Sequence, residues 1–456
     1  MSVQWAVGAV VMVSVMVCLA ITRASGQSRG HASSQPDRPT WRQKQFLVTF
    51  WCPPPASDEA LARVAAEGYN LTWVPVEGLD VAARHKLRAM LTSDLLNATS
   101  LDDPARRAAL DALIDKVKNH PAMEAYFITD EPGAGAFPGL GKLVAYLRQR
   151  DPAHLAYINL FPTYANEQQL GVSADAAERA KVGIPQNFAG VGVSDKTVLC
   201  YREHLRQFIA TVKPDLISYD HYHFMKDGSD GKQYFLNLAL IREASLAAGK
   251  PFLNIIQADT IEKSWRLPNA AETRFLVFTT MAYGGRGISY FTYWGPESYG
   301  GLYRDGKASP MVKEVAAINA EINRLGPALM ELESTAVYHT APLPYGTQTA
   351  PADAPVQVIG GGEFVLGLFG KAGETAAATK APGIPKTTAF MIVNRNYRQS
   401  AQAALMVQLP GGALQELDRT TGRWTAGPVL DSNGQIKVDL APGDGRLFRV
   451  AESGVR

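Results

Sequence analysis

The sequence has little of several features that would narrow its function at once. Its 456 residues include only three cysteines, and lysine plus arginine nearly balance the acids, so the net charge is +2. Because the charge is small and no basic cluster is interleaved with aromatics, a nucleic-acid surface is not expected. The chain also lacks a Walker loop, a dinucleotide-binding glycine pattern, a zinc-spaced cysteine pair and a Gly-x-Ser-x-Gly elbow. We therefore expect no cofactor, no nucleic-acid partner and a neutral or small substrate.

Residues 6–21 form a charge-free apolar run, which is short for a membrane span and typical of a signal-peptide core. We predict a signal peptide or N-terminal anchor over residues 1–26 and a flexible linker over 27–41. A protein of this kind is secreted or periplasmic, and it contacts a membrane only if residues 6–21 remain as an uncleaved anchor. The oligomeric state is not indicated by the sequence.

After the linker, apolar strand-like runs alternate with amphipathic helices. The strands are predicted at 46–51, 70–75, 87–92, 125–129, 155–160, 215–219, 251–256 and 287–294. Eight such units over residues 42–330 match the extent of a (β/α)8 TIM barrel. A long polar insertion at 163–195 is a candidate active-site wall.

The pattern changes in residues 331–456, where glycines and prolines separate short strand-like runs at 364–369, 389–393, 404–409 and 447–450. This pattern predicts an antiparallel β-sandwich domain following the barrel. Residues 371–386 are predicted to be a hairpin loop, and the domain either binds glycan or braces the barrel.

Strand four ends abruptly in Asp130-Glu131-Pro132. Parallel barrels carry their chemistry at the C-terminal ends of strands, so these carboxyls are candidate catalytic groups. Period-two alternation places Asp130 and Glu131 on opposite faces unless the strand kinks.

The Asp-Glu-Pro motif resembles the Asn-Glu-Pro that ends strand four in the large clan of barrel-shaped glycoside hydrolases. Residues 282–294 similarly resemble helix seven and strand eight of β-galactosidase-like members, and residues 393–395, 440–444 and 447–448 resemble parts of the β-domains that follow those barrels. The resemblance implies hydrolysis of O-glycosidic bonds in a poly- or oligosaccharide. It also implies that Glu131 is the general acid, with Asp130 in the place of the asparagine.

Strand seven departs from the clan, which carries its nucleophilic glutamate there. This chain has Gln257, which cannot attack an anomeric carbon, and Asp259 two residues later. Asp220, at the end of strand six, is the other candidate for the second carboxylate that glycoside hydrolysis needs. Glu77 and Glu297 are weaker candidates, and retaining or inverting stereochemistry stays open.

Aromatic and polar groups at strand ends suit a carbohydrate pocket, because flat rings pack on sugar C–H groups and amides bond hydroxyls. The predicted substrate-binding residues are Trp51, Asp130, Asn159, His221, Tyr222, Gln257 and Trp294. Trp73 is equally well explained as barrel core.

Two other functions remain open. Asp220, His221 and His223 could form the metal site of a metal-dependent barrel hydrolase, although no metal is assigned to the preferred mechanism. The absent strand-seven glutamate alternatively suggests a non-catalytic glycan-binding barrel that has lost its nucleophile.

Overall fold

The structure is a computed structural model, and it describes residues 40–172, 196–260, 264–295, 300–373, 386–409, 411 and 413–451. These belong to one compact unit. The predicted signal peptide, the linker up to residue 39, most of the 163–195 insertion, Glu297 and most of the predicted 371–386 loop lie outside the described residues.

Eight parallel strands form a nearly closed barrel, as the alternation of strands and helices predicted. The strands are β1 Leu47–Phe50, β2 Leu71–Val74, β3 Arg88–Leu91, β4 Met123–Thr129, β5 Leu155–Leu160, β6 Ile217–His221, β7 Phe252–Gln257 and β8 Gly287–Phe291. Their side chains are almost all buried, which is typical of parallel strands covered on both faces.

The helices alternate with these strands. They are α1 Asp58–Ala66, α2 Leu79–Arg84, α3 Pro104–Val117, α4 Phe137–Arg150, α5 Glu167–Leu170, α6 Lys196–Val212, α7 Tyr234–Ala248, α8 Ala270–Ala282 and α9 Met311–Met330. Short 3-10 helices lie at Val76–Gly78, Ala98–Leu101 and Ala134–Ala136. The predicted capping box holds at α8, where the Asn269 side chain accepts from the Glu272 N–H and the Glu272 side chain accepts from the Asn269 N–H. None of the helices in the described residues combines the length and apolar character needed to cross a membrane.

A side chain completes the junction between β1 and β2. The Asn70 backbone N–H donates to the Val48 carbonyl at 3.0 Å, and the Val48 N–H donates to Asn70 Oδ1 at 2.9 Å. Asn70 Nδ2 then donates to the Phe46 carbonyl at 2.8 Å. Asn70 therefore supplies hydrogen bonds that a strand ladder would otherwise make.

Two antiparallel sheets follow the barrel, as predicted. A small sheet precedes them in the sequence, and it consists of β9 Trp294–Gly295, β10 Tyr303–Arg304 and β11 Lys307–Ala308. One C-terminal sheet contains β12 Leu332–His339, β14 Phe364–Lys371, β15 Ala389–Asn394, β20 Gly445–Val450, β17 Leu414–Leu417 and β18 Trp424–Ala426. The other contains β13 Val356–Gly360, β16 Ala401–Val407 and β19 Gln435–Leu440.

The larger C-terminal sheet is buried on both faces. Leu366 and Ile392 join a core between the two sheets, whereas Val365 and Val393 join the core of the barrel. Period-two alternation thus divides one sheet between two apolar layers.

Two barrel strands end two or more residues away from their predicted C-terminal ends. Strand β6 continues to His221, so Asp220 and His221 are in the strand. Strand β8 ends at Phe291 rather than at 294, because the chain then pairs Trp294 with Tyr303 in the small sheet.

Candidate active site

The end of β4 bends so that both acidic side chains enter the mouth of the barrel. The pairing with β5 shifts register between Phe127 and Thr129, and Glu131 has a φ of +43°. A positive φ is strained for a residue with a Cβ, and such strain is frequent at functional sites. The opposite-face expectation therefore does not hold: Asp130 contacts Asn159, and Glu131 makes a side-chain hydrogen bond with Asp220.

Asn159 on β5 connects two of the carboxyl groups. Its Nδ2 donates to Asp130 Oδ1 and to Asp220 Oδ1, each at 2.9 Å. Its Oδ1 accepts from Ser218 Oγ at 3.0 Å, and Ser218 Oγ also bonds Tyr157 Oη at 2.7 Å. Asn159 is buried, so its amide is committed to the carboxyl groups and positions them.

The three carboxyls differ in exposure. Asp130 is exposed at the mouth, Glu131 is half-buried, and Asp220 is only 3% exposed beneath them. The carboxyls that solvent or a substrate can reach directly are therefore those of Asp130 and Glu131.

The environment favours the protonated form of all three groups, and burial is the largest cause in each. Burial, followed by the negative charge of Asp130, raises the pKa of Glu131 to about 7, although the hydrogen bond from Asp220 opposes the shift. Burial and the charge of Glu131 raise the pKa of Asp220 well above its usual range. Asp220 therefore keeps its proton and donates it in a hydrogen bond to Glu131, while Asn159 Nδ2 donates to Asp220 Oδ1.

Asp259 lies just beyond the end of β7 and is fully buried. Thr292 Oγ1 donates to its Oδ2 at 2.5 Å, and the Thr260 N–H donates to its Oδ1. Burial raises the pKa of Asp259 to about 6, and these hydrogen bonds oppose the shift. Cys52 is half-buried, and its pKa is raised to about 11 by burial and then by the negative charges of Asp259 and Asp130.

Gln257 is a structural brace. Its Oε1 accepts from the His223 and Phe224 N–H groups at 2.9 and 2.8 Å, and its Nε2 donates to the Phe224 and Arg266 carbonyls at 3.0 and 2.6 Å. The side chain is fully buried. The structure thus places Gln257 between two loops, and its amide has no spare donor for the substrate contact predicted from the sequence.

The two histidines after Asp220 are buried on either side of Tyr234, and each has different further partners. His221 Nδ1 bonds Asn237 Oδ1 at 2.9 Å, whereas the His223 ring stacks on Phe275 at 5.5 Å. Burial lowers the pKa of each to about 3. In the part of the chain that the structure describes, no group of three or more His, Cys, Asp or Glu side chains is placed to hold a metal ion.

Aromatic rings surround the carboxyls. Ring-centroid contacts connect Trp51 with Trp73 (4.8 Å), Trp51 with Phe127 (5.8 Å), Tyr222 with Phe291 (5.3 Å), Tyr222 with Trp265 (5.8 Å) and Tyr164 with Trp265 (6.3 Å). Tyr164 is 41% exposed, whereas Trp51 and Trp73 are nearly buried. The accessible faces are those of the half-buried rings and Tyr164, which suit contact with sugar rings.

Trp294 does not join this group. Its ring stacks on Tyr303 at 5.7 Å, and the Arg63 guanidinium lies 5.7 Å from its centroid. The sequence prediction rested on β8 continuing to this residue and on the resemblance of residues 282–294 to strand eight of β-galactosidase-like members, and a sugar contact of Trp294 stays a prediction.

The sequence reasoning did not single out four aromatic residues near the site, namely Phe127, Tyr164, Trp265 and Phe291. Phe127 shares a face with Glu131 by alternation, and Phe291 ends a strand, so both carried a usable signal. Tyr164 lies at the start of the 163–195 insertion, which was predicted to be an active-site wall, whereas Trp265 lies in a loop after β7 and nothing in the local sequence places it at the pocket.

Comparisons with known proteins give similarity of fold. No family model matches the chain, and no curated protein matches it significantly. Solved structures that match include a β-galactosidase from the psychrophilic Marinomonas ef1, with TM-score 0.48 and 9% identity over 89% of this chain and 100% of that one. A family 30 subfamily 8 xylanase from Clostridium acetobutylicum has TM-score 0.39 and 11% identity over 88% and 94%.

A family 5 mannosidase from Rhizomucor miehei gives TM-score 0.34 and 12% identity over 58% of this chain and 86% of that one. These matched proteins are glycoside hydrolases. Because every TM-score is below 0.5, the similarities assign no activity to this chain.

Proposed function

We propose that this protein is an exported glycoside hydrolase that cleaves O-glycosidic bonds with Glu131 as the general acid. The observation that carries the proposal is the half-buried Glu131 carboxyl at the barrel mouth, whose pKa is raised to about 7. A general acid must be protonated at working pH and near the leaving oxygen. The raised pKa supports the first condition, and the position at the barrel mouth beside accessible aromatic faces supports the second.

The hydrogen bond between Asp220 and Glu131 gives Asp220 a positioning role in this proposal. The partner of the acid must be ionised and lie across the scissile bond, about 5–5.5 Å away for retention or about 6.5–9.5 Å for inversion. Asp220 is protonated, buried and on the same side as the acid, so it does not fit that role.

Asp259 fits the ionised role better. Its pKa of about 6 leaves it charged at neutral pH, and two hydrogen bonds stabilise the charge. Since Asp259 is fully buried, the proposal requires its carboxyl to become exposed when substrate binds.

The test is turnover of aryl glycosides that differ in leaving group. Glu131→Gln should lower kcat by about 10²–10⁴ for a poor leaving group and much less for dinitrophenol, because a good leaving group needs no proton. Glu59→Gln, at an exposed helical site, is the matched control. Equal losses on both substrates would refute the acid role of Glu131.

A non-catalytic glycan-binding barrel is the second candidate, and specific observations favour it. The side-chain amide of Gln257, at the end of β7, is already hydrogen-bonded to backbone groups, and Asp259 has no exposed surface. This candidate predicts sugar binding without release of reducing ends, and unchanged affinity in Glu131→Gln. A direct assay of product release by the wild type separates the two functions.

Export and the carbohydrate partner remain parts of the proposal. The signal peptide predicted from residues 6–21 lies outside the described residues.

A further inference from the structure

A small cavity lies on the opposite side of the barrel from Glu131. It is lined by the start of β7, the turn before β8, the end of α7 and the start of β12. The N-terminal ends of β7 and β8 mark this as the bottom face, whereas Glu131 follows the C-terminal end of β4. The cavity is therefore separate from the candidate active site.

Positive charge is concentrated in the cavity wall. Arg242 Nε donates to Ser334 Oγ at 2.8 Å, and Arg286 Nη2 donates to the Leu332 carbonyl at 2.8 Å. Within the described ranges, neither guanidinium forms an ion pair with a carboxylate, whereas other partly buried arginines such as Arg274 do. Burial lowers the pKa of Arg242 to about 10 and also lowers that of Arg286.

The remaining charges around the cavity do not cancel these two. Lys250 also lines the wall, but its Nζ already pairs with Asp215 at 3.0 Å. Glu333 is the acidic residue of the wall, and it attracts Arg286 without a direct ion pair. Arg242 and Arg286 are half-buried, and a guanidinium that loses part of its hydration without a paired anion is costly, so the cavity is suited to a negatively charged ligand.

Glu333 adds a second requirement for that ligand. Its Oε2 is buried and has no hydrogen-bond partner. A buried carboxylate oxygen accepts hydrogen bonds and donates none when ionised, so the ligand that suits this wall carries an acidic proton as well as negative charge. Hydrogen phosphate has both properties, whereas sulfate at neutral pH has no proton to donate.

We propose that this cavity binds a phosphate group. Arg242 and Arg286 donate hydrogen bonds to its oxygens, and Glu333 accepts a hydrogen bond from its protonated oxygen. The cavity volume of about 90 Å³ equals the share of roughly three liquid waters, enough for a five-atom oxyanion. Bound phosphate would connect α7 and the turn before β8 to the first strand of the C-terminal sheet. This site is independent of the proposed hydrolase activity.

The test compares thermal unfolding of the full chain in phosphate and in sulfate at equal ionic strength and neutral pH. Inorganic phosphate should raise Tm in a saturable way by about 2 °C or more, and sulfate should raise it less. Methyl phosphate is a further arm. Because a phosphate monoester is mostly the dianion without a proton at neutral pH, it should raise Tm no more than sulfate does, and a rise equal to that of inorganic phosphate would overturn the role of Glu333.

Three variants make the result specific. Arg286→Met should abolish the phosphate effect, while Arg84→Met, which removes an exposed arginine paired with Asp58, should leave it unchanged. If Arg286→Met does not fold, Glu333→Gln decides, because removal of its charge should raise the sulfate effect to the level of phosphate. Equal stabilisation of the wild type by phosphate and sulfate would overturn the proposal.

Discussion

Asp130→Asn tests the electrostatics of the candidate acid directly. The negative charge of Asp130 is the second largest cause of the raised Glu131 pKa, after burial. Asparagine removes the charge and retains an oxygen that can accept from Asn159 Nδ2. Removal of a nearby negative charge makes ionisation of Glu131 easier, so its pKa should fall.

The size of the fall follows from Coulomb's law. For charges roughly 6 Å apart, the interaction is about 0.7 kcal/mol in water and about 2.8 kcal/mol at an effective dielectric constant of 20. Because Asp130 is exposed, the lower part of this range applies, about 0.7–1.4 kcal/mol. At 1.36 kcal/mol per pKa unit, the pKa of Glu131 should fall by about 0.5–1 unit.

The assay is the pH dependence of kcat/KM on a substrate with a poor leaving group. Turnover requires protonated Glu131, so the alkaline limb should move from near pH 7 to lower pH by that amount. Asp94→Asn, which neutralises an exposed surface carboxyl, is the control and should leave the limb in place. An alkaline limb that stays fixed or moves upward in Asp130→Asn would show that the charge does not act on the catalytic acid.

Two further substitutions test the strand β7 region. Gln257→Glu should destabilise the protein by about 3–5 kcal/mol in urea unfolding, because the amide that donates to two backbone carbonyls is replaced by a buried carboxylate. Gln45→Glu, at an exposed position, is the control. Equal stabilities of the two variants would contradict the structural role of Gln257. Asp259→Asn should make Tm fall less steeply as the pH rises from about 4 to about 7. The native pKa of Asp259 is raised to about 6, so the unfolded chain ionises first and stability falls as pH rises; an unchanged slope would refute this.

The fold was largely predictable because its signals are local and repeated. Each barrel strand is a short apolar run, and each helix shows a stripe of apolar residues or a cap, as at Asn269. The errors concern strand ends, as at His221 and Phe291, where contacts distant in sequence decide whether pairing continues. The sequence also did not show that Asn70 connects β1 with β2, since that role depends on its neighbour across the barrel junction.

The site was predictable in position but not in arrangement. The abrupt end of β4 placed Asp130 and Glu131 at the mouth, and the structure brings Asn159 and Asp220 to them. Local alternation could not reveal the bend at Glu131, because its positive φ is imposed by surrounding structure. Nor could it show that Gln257 faces the backbone of two loops.

Asn70 has a practical consequence for producing this protein. Together with Leu71 and Thr72, it forms an acceptor sequence for N-linked glycan in a eukaryotic secretory pathway. The nitrogen that would carry the glycan is Nδ2, which donates to the Phe46 carbonyl at the junction of the first two strands. A glycan attached before folding would obstruct that junction, so a bacterial host is the better choice for expression.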